Sequence, residues 1–324
     1  MSAAKGRHIV VTGGAGFIGS HTVAHLVAQG DEVLVIDDLR HACEQPLPPS
    51  VELHAVEVSS PEAAQRIVAF KPDAILHLAA QGGVSRSIRD PAGDAQINVV
   101  GTVALLKAAT DARCRRFVFA SSGGAIYGRA KRLPSSERSR PEPLSPYGAA
   151  KLAGENYLGM FSRTFGLRTL ALRYSNVYGP FQDGTGEAGV VAITCERLLG
   201  GRPPEIRGDG QQTRDFVFVE DVAEANVRAL AGSALGVLNI GTGQATTVRA
   251  VIDRLAEVAG YRGPIDFVEG RPGEVRATAL DARRAEQSLH WSPRTALDEG
   301  LRRTFLSFQE RLPAHRAGAT TGPA

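Results

Sequence analysis

The stretch His8-Ile9-Val10-Val11-Thr12-Gly13-Gly14-Ala15-Gly16-Phe17-Ile18-Gly19-Ser20 decides the fold of this 324-residue chain. A β-branched run of strand length enters a glycine cluster. The cluster opens into an apolar-periodic segment, Phe17 to Val27, that reads as a helix. Glycines 14, 16 and 19 fit G-x-G-x-x-G, and glycines 13, 16 and 19 fit the looser G-x-x-G-x-x-G. Both spacings serve one need: a tight turn, a backbone that can approach a pyrophosphate, and a helix packed close to its strand. A second apolar run, Glu32 to Ile36, ends in Asp37, 18 residues beyond Gly19. A carboxylate there accepts from the adenosine ribose hydroxyls and disfavours a 2′-phosphate, so NAD is expected over NADP; Arg40 is the nearby group that could favour the phosphate.

Strands and helices alternate after that. Val51 to Val58 reads as a strand, Pro61 to Phe70 as a helix, and Ala74 to Leu78 as a buried strand ending in Ala79-Ala80-Gln81-Gly82-Gly83. Asn98 to Ala109 reads as a helix, Arg116 to Ala120 as a strand running into Ser121-Ser122-Gly123-Gly124, and Tyr147 to Phe165 as a long helix. Arg168 to Arg173 is a further strand, ending in Tyr174-Ser175-Asn176. This rhythm implies an α/β fold, a Rossmann-type doubly wound parallel sheet whose strand ends carry the polar residues and glycines. From Gly179 glycine and proline become frequent, marking a smaller C-terminal α/β substrate lobe. The expected division is a dinucleotide-binding domain over 1–178, with returning segments near 215–245, a lobe over 179–312, and a disordered tail over 313–324.

Apolar residues make up 43% of the chain, ample for a buried core. Basic and acidic residues number 37 and 34 and are interspersed, so the net charge of +3 forms neither a nucleic-acid stripe nor a polybasic membrane patch. Cys43, Cys114 and Cys195 are far apart and have no metal spacing. With no signal-peptide pattern and no apolar run of membrane-spanning length, a cytoplasmic protein with no metal site is expected.

The chemistry is carried by Ser145-Pro146-Tyr147-Gly148-Ala149-Ala150-Lys151. Tyr and Lys four apart on a helix share a face one turn apart. An ammonium beside a phenol favours the phenolate, which makes Tyr147 a general base, with its pKa expected to be lowered by Lys151. A hydroxyl from the preceding strand end, Ser121 or Ser122, would share the reacting oxygen. His77, His8 and His21 read as structural residues.

The motifs T-G-G-A-G-F-I-G-S-H, H-L-A-A-Q, N-V-x-G-T, S-S-G-G-A-I-Y-G, S-P-Y-G-A-A-K, L-R-Y-S-N-V-Y-G-P and R-D-F-V-F-V-E-D-V resemble, in order from about Arg7 to about Phe308, the extended short-chain dehydrogenase/reductase family. Within it the chain is most like the NAD-dependent nucleotide-sugar 4-epimerases of the UDP-glucose/UDP-galactose type. The resemblance implies that Gly13, Gly16, Phe17, Ile18, Gly19, Asp37, Asp38, Leu39 and Arg40 line the adenosine and pyrophosphate half of NAD. It places Glu57 and Val58 near adenine, Leu78, Ala79, Ala80 and Gln81 under the cofactor, and Asn98 and Tyr174 beside it. It implies that Tyr147 and Lys151 serve catalysis and the nicotinamide ribose, with Ser122 preferred over Ser121. Ser122, Gly123, Arg86, Asn176, Val190, Arg214, Arg271, Glu274 and Thr278 are expected to meet the UDP-sugar. Arg214 and Arg271 would clamp the diphosphate, since guanidinium forks suit phosphate oxygens. A homodimer through the helices holding Asn98–Ala109 and Tyr147–Phe165 is also implied.

The reactions of this resemblance begin alike, with proton removal from a sugar 4-hydroxyl and hydride loss from C4. A 4,6-dehydratase of that family carries an Asp-Glu pair directly after the catalytic hydroxyl, and a uronate decarboxylase a Glu. Gly123-Gly124 stand there instead and supply neither acid nor base. The simplest outcome, 4-epimerisation, is therefore expected. UDP-glucuronate and N-acetylhexosamine are alternative sugars, because Gly123, Gly124 and Thr278 imply a roomy pocket. From other classes, a silent NAD-binding protein is opposed by the intact Tyr, Lys and Ser, and a dehydrogenase of uncharged alcohols by the two arginines.

Overall fold

Four of the five residues of β1 (His8–Thr12) are buried, because its Ile-Val-Val run is flanked by strands on both sides. The computed structural model describes residues 6–184, 189–270 and 275–318, with the side chains of the last helix as far as Arg311. After β1 come α1 (Phe17–Ala28), β2 (Glu32–Asp37), β3 (Glu52–Ala55), α2 (Pro61–Phe70) and β4 (Ala74–His77). A helical stretch follows: α3 (Val84–Arg89), α4 (Pro91–Ala95), a π turn (Gln96–Val100) and α5 (Gly101–Asp111). Then come β5 (Arg116–Ser122), the single turn α6 (Gly123–Ile126), α7 (Pro146–Phe165) and β6 (Arg168–Tyr174). The rest is β7 (Asn176–Tyr178), α8 (Val190–Leu199), β8 (Glu205–Arg207), β9 (Thr213–Arg214), β10 (Phe216–Phe218), α9 (Val219–Ala231), β11 (Gly236–Ile240), β12 (Thr246–Thr247), α10 (Val248–Val258), β13 (Asp266–Val268), α11 (Arg283–Leu289) and α12 (Leu297–Gly318).

Seven parallel strands form one sheet in the order β11-β6-β5-β4-β1-β2-β3. The chain reverses its direction of travel across the sheet between β1 and β4, the crevice where such sheets bind ligands. One apolar layer packs α1 and α9 onto the sheet through Val23, Leu26, Val222 and Leu230; the other packs α2, α5 and α7 through Ile67, Leu105, Leu106, Leu158 and Phe161. Each such side chain contributes about 1.5–3 kcal/mol of burial. Helix α7 has clear local causes. Ser145 Oγ accepts from Gly148 N at 3.1 Å, Pro146 occupies the first turn, and Gly166 ends the helix in the left-handed region. In the second lobe α8, α10 and α12 share a core built on Val191, Cys195, Val251, Leu255 and Phe305.

Element ends differ from the sequence expectation where loops reach the crevice. β3 stops at Ala55, so Glu57 and Val58 leave the sheet; β5 continues through Ser121 and Ser122. The continuous helical run that holds Asn98 begins at Pro91, seven residues before it, because Asp90 caps it by accepting from Gly93 N at 2.9 Å. The last helix extends to Gly318, into the stretch expected to be disordered from Pro313; residues 319–324 lie outside the described residues. No described helix is long and apolar enough to cross a membrane.

Candidate active site

The crevice is walled by Gly13, Gly16, Asp37, Asp38, Arg40, Glu57, Val58, Leu78, Ala79, Ala80, Gln81 and Arg86. Gly13 turns through a φ of 70°, and a Cβ there would sit 2.6 Å from Ala79 N. A Cβ on Gly19 would run into the Gly13 carbonyl, so α1 can approach the turn only as glycine permits. Gly16, by contrast, faces open space, its nearest obstacle 3.4 Å away, and no side chain caps the α1 N-terminus it leads into. Those N–H groups are thus arranged for a pyrophosphate. Phe17 and Ile18 open that helix, partly buried.

Asp37 is 8% exposed and braces this turn, accepting from Ala15 N at 3.0 Å and Leu39 N at 2.9 Å. Burial raises its carboxyl above the usual range, while the N–H groups of Leu39 and Ala15 pull it back. Arg40 is held by Asp38 at 2.7 Å and by Glu57. Both partners are carboxylates, so the surroundings of Arg40 are acidic and oppose a 2′-phosphate. Asn98 Oδ1 accepts from Gln81 N at 3.0 Å, and Asp94 Oδ1 accepts from both side-chain amides, at 2.8 Å from Gln81 and 3.0 Å from Asn98. These residues and distances fit NAD, the dinucleotide expected from the sequence.

Ser122 stands beside Tyr147, its hydroxyl favouring the phenolate, and Lys151 lies one helical turn on, its Nζ 5.7 Å from the Tyr147 ring centre and donating to Ala120 O at 2.9 Å. Tyr147 keeps some accessible surface, yet desolvation by the surrounding protein pushes its phenol up to about 12, with Ser122 opposing and Asp94 adding to the rise. The expected lowering by Lys151 is therefore overturned here. Burial also pulls Lys151 down to about 8, outweighing the raising effect of the Asp94 carboxylate. Ser121 points to the other face of β5 and donates to Glu155 at 2.6 Å, leaving Ser122 as the hydroxyl beside Tyr147. His77 bridges Thr12 at 2.7 Å and Thr102 at 3.0 Å, and burial pulls it down to about 3, so it is a neutral structural residue.

On the sugar side, a Cβ at Gly124 would lie 3.7 Å from Asn176 Oδ1 and 4.0 Å from Ser122 Oγ. Asn176 Oδ1, Ser175 Oγ and Thr278 Oγ1 are buried without hydrogen-bond partners among the described residues, which suits groups that meet a polar ligand. Asp215 organises this side. It accepts from Thr242 N, Thr242 Oγ1, Gly243 N and Leu280 N, while its carbonyl accepts from Asn176 N. Arg214 is half-buried in β9, donating to Thr213 O at 2.8 Å, and Val190 starts α8. Arg271 and Glu274 lie outside the described residues.

Three expectations change in the folded chain. Tyr174 turns its ring into the core and donates to Asn226 at 2.5 Å, so its hydroxyl belongs to the packing; the neighbouring orphan Ser175 Oγ is the polar group at that strand end. Arg86 is exposed on the wall of the cofactor crevice, apart from Thr278 and Gly123, which line a separate small cavity. Gly123 leaves no room, because Leu280 occupies the space beside it. Asp94, Ser175 and Asp215 were missed. Asp94, three residues after Pro91, carries no periodic signal, and the other two acquire meaning only through contacts distant in sequence.

A model of the NAD dependent epimerase/dehydratase family matches residues 9–241. A UDP-glucose 4-epimerase of Mycolicibacterium smegmatis is 43% identical over 93% of this chain and 98% of its own length. The solved UDP-glucose 4-epimerase of Thermotoga maritima with UDP-glucose superposes with a TM-score of 0.92, at 43% identity over 94% of this chain and 99% of that one. The Thermus thermophilus UDP-glucose 4-epimerase in complex with NAD gives 0.88, at 40% identity over 93% of this chain and 99% of that one.

Proposed function

The chain belongs to the NAD dependent epimerase/dehydratase family, and within it we propose that it is a UDP-sugar 4-epimerase acting on UDP-glucose and UDP-galactose. The observation that carries the reading is Ser122 beside Tyr147 with Lys151 one turn away, next to a crevice built for a dinucleotide. Bound in that crevice, NAD supplies the acceptor and donor of the hydride at C4. Tyr147 takes the proton of the 4-hydroxyl and returns it after the 4-keto sugar has presented its other face. Ser122 shares the reacting oxygen and hydrogen-bonds the phenol. Lys151, cationic below about 8, favours the phenolate against the rise imposed by burial. Arg214, Arg271 and Asn176 meet the diphosphate, Val190 contacts the nucleotide through its backbone, and Glu274 also meets the UDP-sugar. Gly123 and Gly124 offer no acid or base for dehydration, so the hydride returns to the sugar it left.

Thr278 is a small residue, 8% exposed with an orphan hydroxyl, and together with Gly124 it leaves space for a sugar larger than a simple hexose, an N-acetylhexosamine or a uronate. The protein works as a homodimer in the cytoplasm, paired through the faces of α5 and α7, where Tyr157 and Phe165 are 38% and 52% exposed. The test is conversion of a panel of UDP-sugars. Interconversion of UDP-glucose and UDP-galactose is expected, with at least one bulkier sugar turned over and Thr278→Tyr depressing the bulkier activity selectively. Absence of both conversion and a reduced-nicotinamide band would overturn the epimerase reading. Equal loss on all sugars in Thr278→Tyr would overturn the pocket argument.

A further inference from the structure

We propose that Tyr127, Arg173 and Glu155 are positioning residues for this reaction, a buried hydrogen-bonded chain that locks Ser122 and α7 to the segment 277–281 on the sugar side. The inference rests on the epimerase reading.

Neighbouring residues of a strand face opposite sides, so Ser122 looks toward Tyr147 while Ser121 looks away from it. Ser121 donates to Glu155 Oε1 at 2.6 Å. Glu155 is on α7, one turn beyond Lys151 and eight residues beyond Tyr147. It receives Arg173 in a two-pronged pair, Nε to Oε1 at 2.8 Å and Nη2 to Oε2 at 2.5 Å, with both side chains about 95% buried (5% and 6% exposed). Arg173 Nη1 donates to the Tyr127 hydroxyl at 2.8 Å, and that hydroxyl donates to Asn239 Oδ1 at 2.8 Å. Asn239 Nδ2 then donates to Ser135 O at 2.9 Å and Asp281 O at 3.2 Å. Ser135 is laced to the same segment, through Ala279 O at 2.8 Å and Asp281 N at 2.9 Å. Leu280, between them, is the side chain that fills the space beside Gly123.

The chain thus begins one residue from the catalytic serine and ends on either side of Leu280, two residues from Thr278. A buried ion pair is weak evidence for stability, since desolvation offsets most of its attraction. Its yield here is geometric: bidentate Arg–carboxylate contacts fix distance and angle together. Placement errors of an ångström cost turnover much more than they cost binding of the nucleotide.

The test uses the NAD-loaded enzyme. Tyr127→Phe keeps the ring and removes the one hydroxyl that joins Arg173 to Asn239. Ser121→Ala cuts the chain at its other end without touching Ser122. Tyr178→Phe is the control, a buried hydroxyl in the second lobe that faces Leu297 O at 3.4 Å. Both test variants are expected to lower kcat for UDP-galactose on the order of 10-fold, with KM and NAD content near wild type, while the control keeps kcat. If the two variants lose thermal stability but keep wild-type kcat, the chain is scaffolding only and the proposal is overturned. Should Tyr127→Phe fail to fold, Ser121→Ala decides alone, an unchanged kcat overturning the proposal. Wild-type enzyme that converts no UDP-sugar overturns the epimerase reading itself, a result distinct from turnover that the variants leave unchanged.

Discussion

Leu280 fills the place of the side chain that Gly123 lacks: a Cβ on Gly123 would stand 2.8 Å from Leu280 Cδ2 and closer still to Cδ1. Leu280 is 1% exposed, so moving its methyls away from Gly123 means repacking the residues around it, while its backbone is anchored by Asp215 at 3.0 Å. Gly123 therefore serves contact between distant parts of the chain, and the proposed roominess of the sugar pocket is left to rest on Gly124 and Thr278.

Gly123→Ala should destabilise the protein by about 1–3 kcal/mol through overpacking and lower turnover with it. Thermal unfolding of Gly123→Ala, Leu280→Ala and the double variant checks this. The double variant is expected to recover part of the loss; strict additivity would show that the two positions do not meet.

Tyr147→Phe should keep its fold and its NAD content and lose turnover by on the order of 10²–10⁴-fold, the usual worth of a general base. Cofactor content after purification and conversion of UDP-galactose measure the two halves. Near wild-type turnover would move the base elsewhere.

Lys151 is 3% exposed and burial holds its ammonium at about 8 against an ordinary 10.5. A lysine with a lowered folded pKa binds fewer protons folded than unfolded between those values, so stability rises with pH across about 8 to 10.5. Below 8 the charged form costs the fold on the order of 3 kcal/mol. In cofactor-stripped protein, Lys151→Met should therefore unfold at a higher temperature than wild type at pH 7, with the gap narrowing toward pH 10, while its turnover is lost. Melting curves of both proteins across that range are the check, and a gap that does not change with pH would contradict it.

Cofactor-stripped protein should bind NAD well ahead of NADP, because the proposed site sets the carboxylate of Asp37 against the ribose and pairs Arg40 with Asp38 and Glu57. Asp37→Ser should narrow the preference and weaken both, since Asp37 also braces Ala15 and Leu39. Titration with each dinucleotide measures it, and equal affinity in wild type would assign the dominant contact to Arg40.

Much of this molecule was determined by local sequence. The run from His8 to Ser20 carries its own strand, turn and helix, because the needs it meets (β-branched burial, a positive φ at Gly13, a helix start without a capping side chain) are satisfied within a dozen residues. Tyr147 and Lys151 are legible for the same reason, since four residues on a helix fix their relative place whatever surrounds them. Tertiary structure decided the rest. Sequence prefers Ser122 to Ser121 only by resemblance, and the strand's two faces, with Glu155 behind one and Tyr147 before the other, separate them physically. Gly123 reads as space until Leu280, more than 150 residues away, is seen to occupy it. The tyrosine–lysine pair reads as mutual attraction until its burial is known, and desolvation then outweighs the charge. In each case the deciding partner lies far along the chain or the deciding quantity is exclusion of water, and neither is written in the spacing of neighbouring residues.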